Sequence, residues 1–309
     1  MTVERVSGGQ SNPTFFVTYE NRRLVLRKRP DGNVLPSAHA IDREYRAMAA
    51  IAASDVPVPK VLHYQADAGV IGTPFYVMER IEGRVFADPA LPGVDASDRR
   101  RVYFAMADTL ARLHAIDWKA AGLEDFGRAD DYFARQVARW SRQWELSRTR
   151  DSKDVDQLVG WLRENIPAGQ VAAISHGDFR IGNLMFHPFE PRVVGVLDWE
   201  LSTIGHPLAD VAFSALAWRL MPSEYMGMRG VGAAGLPSEK DYLDRYRAAA
   251  PETEMPQAFH FTFALFRLAV IFEGIAARAK SGDAASADAA EVGALSSVFV
   301  ARAFEAIDS

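Results

Sequence analysis

Residues 174–213 read ISHGDFRIGNLMFHPFEPRVVGVLDWELSTIGHPLADVAF, and the spacing of polar groups in this stretch decides how the rest of the chain is read. HGDFRIGN sets Asp178 and Asn183 five residues apart with Arg180 between them, while Gly177 and Gly182 let the backbone turn sharply. The segment has the form of a catalytic loop. Arg192 to Leu197 is a Val-rich run of strand length that delivers Asp198 at its end.

These groups suit phosphoryl transfer. Moving the γ-phosphoryl of ATP requires neutralised charge on its oxygens and an acceptor hydroxyl held in line, with little covalent work for the protein. Mg²⁺ takes hard oxygen ligands and keeps several waters, so Asn183 and Asp198 suffice beside the phosphates. Asp178 is then left for the acceptor hydroxyl, mainly to orient it and to take its proton late, because an ordinary carboxylate is a weak base. Arg180 can lie over the transferring phosphate.

HGDFRIGN followed by LDWE resembles the aminoglycoside phosphotransferase and choline kinase superfamily, which shares the protein-kinase fold and whose protein-kinase counterparts are HRDxxxxN and DFG. The resemblance implies that Asp178 is the catalytic base and that Asn183 and Asp198 bind magnesium. Extended through LSTIGHPLAD, it is closest to the branch containing the kinase-like domains fused to some acyl-CoA dehydrogenases. It spans nearly the whole chain. Other polar residues in the stretch read as structural: His176 as a loop-holding hydrogen-bonding group, and Asp210 as a buried brace for the catalytic-loop backbone. Glu200 reads equally as a second magnesium-site group or as part of a solvated loop.

The 309 residues, 49% of them hydrophobic, are enough for one large domain or two unequal lobes. A net charge of -5 with no long Lys or Arg run argues against nucleic-acid or membrane-surface partners and for small molecules. The absence of cysteine excludes disulfides and thiolate chemistry. MTVERVSGGQ lacks a charged-then-apolar signal pattern, so a soluble cytoplasmic protein is expected. The apolar run from Ala258 to Phe272 carries His260 and Arg267 and reads as a core helix.

Along the chain, SGGQSNPT turns between two short strand-like runs, Val3 to Val6 and Phe15 to Tyr19. Its Gly8, Gly9, Gln10 and Ser11 could cover ATP phosphates with backbone N–H groups. RLVLRKR is a strand with Val25 and Arg27 on one face. The resemblance places Arg27 where protein kinases carry a phosphate-binding Lys, with Lys28 as the alternative. Pro36 to Ala53 contains an amphipathic helix, and the resemblance pairs its Glu44 with Arg27. The same resemblance makes TPFYVMERIEG the strand leading to the hinge, with Met78 lining the adenine pocket, the Glu79 carbonyl accepting from the adenine amine and the Ile81 N–H donating to the ring.

After the hinge, helices are expected over Ser97 to Asp117, Tyr132 to Arg148, Val155 to Asn165, Ser238 to Arg247, 255–279 and 287–307. Asp241 is the expected capping-box partner of Ser238. GVGAAG at 230–235 matches G-x-G-x-x-G but lacks the preceding strand, and it is rejected as a dinucleotide site. Trp218 to Gly235 is expected to border the acceptor pocket, with Arg219 or Arg229 anchoring a carboxylate or phosphate among apolar side chains.

The expectation is an α+β, two-lobed protein-kinase-like fold: residues 1–80 form a small antiparallel sheet lobe, and residues 81–309 a larger, mainly helical lobe. ATP and Mg²⁺ lie between them, and a hydroxylated small molecule, such as a hydroxy acid or hydroxyacyl thioester, is phosphorylated. An aminoglycoside or amino-alcohol kinase is the alternative within the class. Outside it stand a regulatory pseudokinase and a metal-dependent hydrolase using His176, Asp178 and Asp198. The sequence does not speak to oligomeric state.

Overall fold

The computed structural model describes residues 1–6, 12–30, 40–282 and 288–308. The N-terminal lobe is a sheet of β1 (Thr2–Arg5), β2 (Thr14–Tyr19), β3 (Arg22–Lys28), β4 (Val61–Gln65) and β5 (Phe75–Glu79), in the order β1-β2-β3-β5-β4 and antiparallel throughout. Residues directly opposite across antiparallel strands share a face. The pairs Val25 with Met78 and Arg27 with Tyr76 therefore put Arg27, Tyr76 and Met78 on one side of the sheet. Helix α1 (Ile41–Ile51) buries Ile41, Glu44, Ala47, Met48 and Ile51 along one stripe. It falls within the span Pro36 to Ala53 where the amphipathic helix was expected, of which residues 36–39 lie outside the described residues.

Beyond β5 the chain crosses to a mainly helical lobe through β6 (Arg84–Val85), α2 (Ala96–His114), α3 (Tyr132–Ser147) and α4 (Lys153–Glu164). β7 (Ala173–Ser175) follows, then β8 (Leu184–Phe186), β9 (Val193–Val196) and β10 (Thr203–Gly205). Here β6, β8 and β9 form one small sheet, and β7 pairs with β10. Of these five strands only β9 was anticipated, because two- to three-residue strands are too short to show a period-two pattern. The first long helix ends earlier than expected, at His114. Asp117 instead accepts from the Lys119 and Ala120 N–H groups and starts a turn.

The core is closed by α5 (Pro207–Ala215), α6 (Glu239–Ala249), α7 (Ala258–Ser281) and α8 (Ala289–Ile307). The capping box at α6 forms as expected, with Asp241 N donating to Ser238 Oγ at 3.1 Å and Ser238 N to Asp241 Oδ2 at 3.0 Å. α7 is long and apolar enough to cross a membrane by length and composition, but 78% of its most apolar window is buried inside the fold. It is a core helix.

Two histidines, His260 buried and His206 half-buried, sit where helices start. The His206 ring accepts from Leu208 N and caps α5, and the His260 ring accepts from Gln257 N at the start of α7. Both tasks need an unprotonated nitrogen. Burial drives both rings down from an ordinary 6.5 to about 4; His114 adds to the effect on His206, and His206 to that on His260. Above pH 6.5 the rings are neutral in folded and unfolded chains alike, and their contribution to stability is whole. Between 6.5 and about 4 the unfolded chain binds protons that the fold refuses, so stability falls as pH falls. His260→Gln is expected to flatten this fall in unfolding temperature, by up to about 3 kcal/mol across the window. A slope equal to the parent's would place the titration elsewhere.

Candidate active site

β7 runs directly into His176, Gly177 and Asp178, and the turn is set from below. The Asp210 carboxylate, on α5 and buried, accepts from His176 N at 2.6 Å and from Gly177 N at 2.9 Å. Gly177 has φ 82°, and a Cβ there would lie 2.6 Å from the Leu201 carbonyl oxygen, so only glycine fits. His176 is the hydrogen-bonding group expected: one ring nitrogen meets the Leu197 carbonyl at 2.9 Å, the other accepts from Asp178 N at 3.2 Å, and the ring packs on Trp199. Arg267, from the middle of α7, donates to the Gly177 carbonyl.

A short turn, Ile181–Asn183, brings Asn183 back to Asp178. Asn183 Nδ2 donates to the Asp178 carbonyl oxygen at 2.9 Å and to its carboxylate at 2.7 Å, leaving Asn183 Oδ1 as the atom it can offer a cation. Arg180 Nε lies 3.4 Å from the same carboxylate. Burial pushes the Asp178 carboxyl above the ordinary aspartate value, against the opposing pull of Arg180 and Arg267. The result is a stronger base than a solvated aspartate.

Asp198 follows β9 in the left-handed region, φ 63°, a conformation that costs a non-glycine residue about 1–2 kcal/mol. The preceding Leu197 N donates to the Asn183 carbonyl at 2.8 Å, which ties the strand end to the catalytic loop. Arg27 reaches Asp198 Oδ1 at 3.0 Å and forms an ion pair with Glu44 at 3.1 Å. Glu200 lies 4.0 Å from the same guanidinium. Glu44 is buried and further held by Asn12 at 2.5 Å and Tyr76 at 2.9 Å. Burial pushes its carboxyl up to about 7, against Arg27 and these donors. For Arg27 burial works the other way, and Glu44 and Asp198 outweigh it, so the guanidinium stays charged.

Met78 is buried on the Arg27 face, and Glu79 and Ile81 stand at the crossing between lobes, where Glu79 N donates to Lys60 O and Arg80 N to Arg23 O. Gly8, Gly9, Gln10 and Ser11 lie outside the described residues. The acceptor-side anchors expected from sequence are both in ion pairs: Arg219 pairs with Glu239 at 2.7 Å over the Phe261 ring, and Arg229 pairs with Glu305 at 2.8 Å. Trp218 is partly buried and packed against the core, and Leu220 and Met228 are buried in it. What the segment does bring to the site is Tyr225, whose ring lies 5.8 Å from the Arg180 guanidinium, and Met226. GVGAAG is a turn-rich loop held by Arg99, as its rejection implied. Asn12, Tyr76 and Arg267 escaped the sequence reading. Only Arg267 left a signal, a lone cation inside an apolar run.

The model of the phosphotransferase enzyme family matches residues 2–235. Over 294 residues the chain is 44% identical to acyl-CoA dehydrogenase family member 10 of Mus musculus, covering 93% of this chain but 27% of that protein. The chain thus spans about a quarter of the length of this curated relative. A provisionally named aminoglycoside phosphotransferase of Ralstonia eutropha JMP134 superposes with a TM-score of 0.91 at 39% identity, covering 99% of this chain and 92% of that one. Aminoglycoside phosphotransferase APH(4)-Ia, in a ternary complex with AMP-PNP and hygromycin B, shares the fold at TM-score 0.64 and 18% identity, covering 97% of this chain and 93% of its own. The two lobes are those of a kinase-like fold, and the chain belongs to the phosphotransferase enzyme family.

Proposed function

We propose that this chain transfers the γ-phosphoryl group of ATP to a hydroxyl of a small molecule. The observation that carries the reading is Arg27 bridging Glu44 and Asp198, because it joins a cation of the sheet lobe to a carboxylate held beside the Asp178–Asn183 pair. In this reading Arg27 holds the ATP phosphates and Glu44 orients Arg27. The adenine meets the backbone of Glu79 and Ile81 against Met78, with the lobe boundary at residues 80 and 81. The AMP-PNP bound by APH(4)-Ia supports ATP as the donor.

Asp178 orients the acceptor hydroxyl and takes its proton, helped by a carboxyl that burial has made more basic. Arg180 steadies charge on the moving phosphoryl group. Mg²⁺, when bound, neutralises phosphate charge, and Asn183 Oδ1 and Asp198 form the hard-oxygen set that would hold it. A hydrolase built on His176, Asp178 and Asp198 is disfavoured, since both His176 ring nitrogens are engaged. Nor do three such side chains gather into a metal cluster among the described residues. A pseudokinase would have no use for an Asp178, Asn183 and Asp198 set kept intact.

For the acceptor we favour a hydroxy acid or hydroxyacyl thioester over a cationic sugar. The side chains beside Arg180 are Tyr225 and Met226, and the cavity behind it, lined by Tyr103, Met106, Ser214 and Met226 among others, is only about 10 Å³. The apolar surface of Tyr225 and Met226 suits an alkyl chain lying over it, whereas a polycation calls for clustered carboxylates. The name of the Mus musculus relative, an acyl-CoA dehydrogenase family member, points the same way.

Asp178→Asn is expected to leave ATP affinity within a few-fold and to lower turnover by roughly 10² or more; unchanged turnover would remove Asp178 from the chemistry. Asp198→Ala should abolish the Mg²⁺ dependence of nucleotide binding, measured by titration with and without chelator. Arg27→Ala and Glu44→Ala should each weaken ATP use and together do so less than additively, and additive losses would mean the pair does not act as a unit. ADP release should favour hydroxy acids and their coenzyme A thioesters over hygromycin B and choline. Efficient turnover of only the latter two would replace the acceptor assignment while keeping the reaction.

A further inference from the structure

Beside Glu44 on α1, Arg43 points the other way, into the catalytic lobe. Its Nη2 donates to the Phe126 carbonyl at 2.6 Å and to the Ser202 carbonyl at 3.3 Å. The guanidinium lies 4.1 Å from the centre of the Phe126 ring, itself buried. Charge-assisted bonds from one end of the fork, Nη2, to two carbonyls, with an aromatic face against the guanidinium, hold the side chain more firmly than a surface ion pair would.

The two carbonyls belong to segments that lead to the two reactive carboxylates. Ser202 closes the loop carrying Asp198 and Glu200, with its own N–H and hydroxyl turned back onto the Trp199 carbonyl. Phe126 precedes Gly127, where a Cβ would lie 2.5 Å from Thr203 Oγ1 and 2.7 Å from Ile204 N, so this backbone lies directly on β10. β10 pairs with β7, and β7 continues into Asp178. One side chain therefore ties the helix that carries Glu44 to the segments that carry Asp198 and Asp178.

We propose that Arg43 is a positioning residue of the nucleotide site: it seats α1 on the catalytic lobe and thereby sets Glu44 and Arg27 against Asp198. The proposal rests on the phosphotransfer reading above. A residue that only stabilised the fold would change the unfolding temperature and leave nucleotide affinity alone. One that sets the Arg27–Glu44–Asp198 geometry must change affinity for the phosphates.

The test is calorimetric titration with AMP-PNP in the presence of Mg²⁺, alongside thermal unfolding, on the full chain. Arg43→Ala is expected to weaken AMP-PNP binding about tenfold, and Arg43→Lys, which keeps the charge without the fork, to fall between it and the parent. Lys240→Ala serves as control, because its exposed pair with Asp244 lies within α6 and joins α1 to nothing, and it should bind AMP-PNP as the parent does. Arg43→Ala that binds like the parent, whatever its unfolding temperature, overturns the proposal. If that variant does not fold, Arg43→Lys decides: several-fold weaker binding supports the assignment and parental binding overturns it. A parent chain that binds no AMP-PNP refutes the phosphotransfer reading itself and this role with it.

Discussion

The catalytic turn depends on one buried carboxylate. Asp210 accepts two successive backbone N–H groups, from His176 and Gly177, and its Oδ2 also stands 3.5 Å from the His114 ring. Burial opposes its charge, but His114, His176 and the Gly177 N–H outweigh this and hold its carboxyl below the ordinary aspartate range. Losing it would leave two buried donors without acceptors, at about 1–3 kcal/mol each. The left-handed Gly177 would lose its support at the same time. The position of Asp178 is therefore decided one helix away, by a residue that plays no part in chemistry.

A second constraint crosses between lobes. The sheet lobe alone presents Arg27 and Glu44 with an incomplete set of partners, and Asp198 completes it from the other side. Burying such charges is favourable only when geometry and hydrogen bonding are nearly complete. Asn12, Tyr76 and Arg27 supply that completeness around Glu44. The buried cluster thus specifies how the lobes meet.

The parts of the site legible in the sequence are those whose partners are close in the chain. Asp178, Arg180 and Asn183 fall within one turn, and Asp198 follows a strand of recognisable composition. Arg27 and Glu44 are too far apart for spacing to join them, and only the family resemblance did so. Arg219 and Arg229 show the opposite limit. Sequence displays their charge but not their pairing with Glu239 and Glu305. Leu220 and Met228 likewise read as pocket walls until burial placed them in the core. The two- and three-residue strands around the catalytic loop exist because of their neighbours and carry no pattern of their own.

The clamp on the Gly177 carbonyl comes from Arg267, and the turn before Tyr225 is held by Arg302 of α8, which reaches both oxygens of Glu224 at 2.6 and 2.9 Å. Both arginines follow the catalytic stretch by many residues. During synthesis the loop with Asp178, Asn183 and Asp198 leaves the ribosome long before these side chains do. Because a domain folds as a unit when its long-range contacts can close, the nascent chain carries all three side chains while still lacking the means to hold them. Their arrangement is fixed late, when α7 and α8 dock.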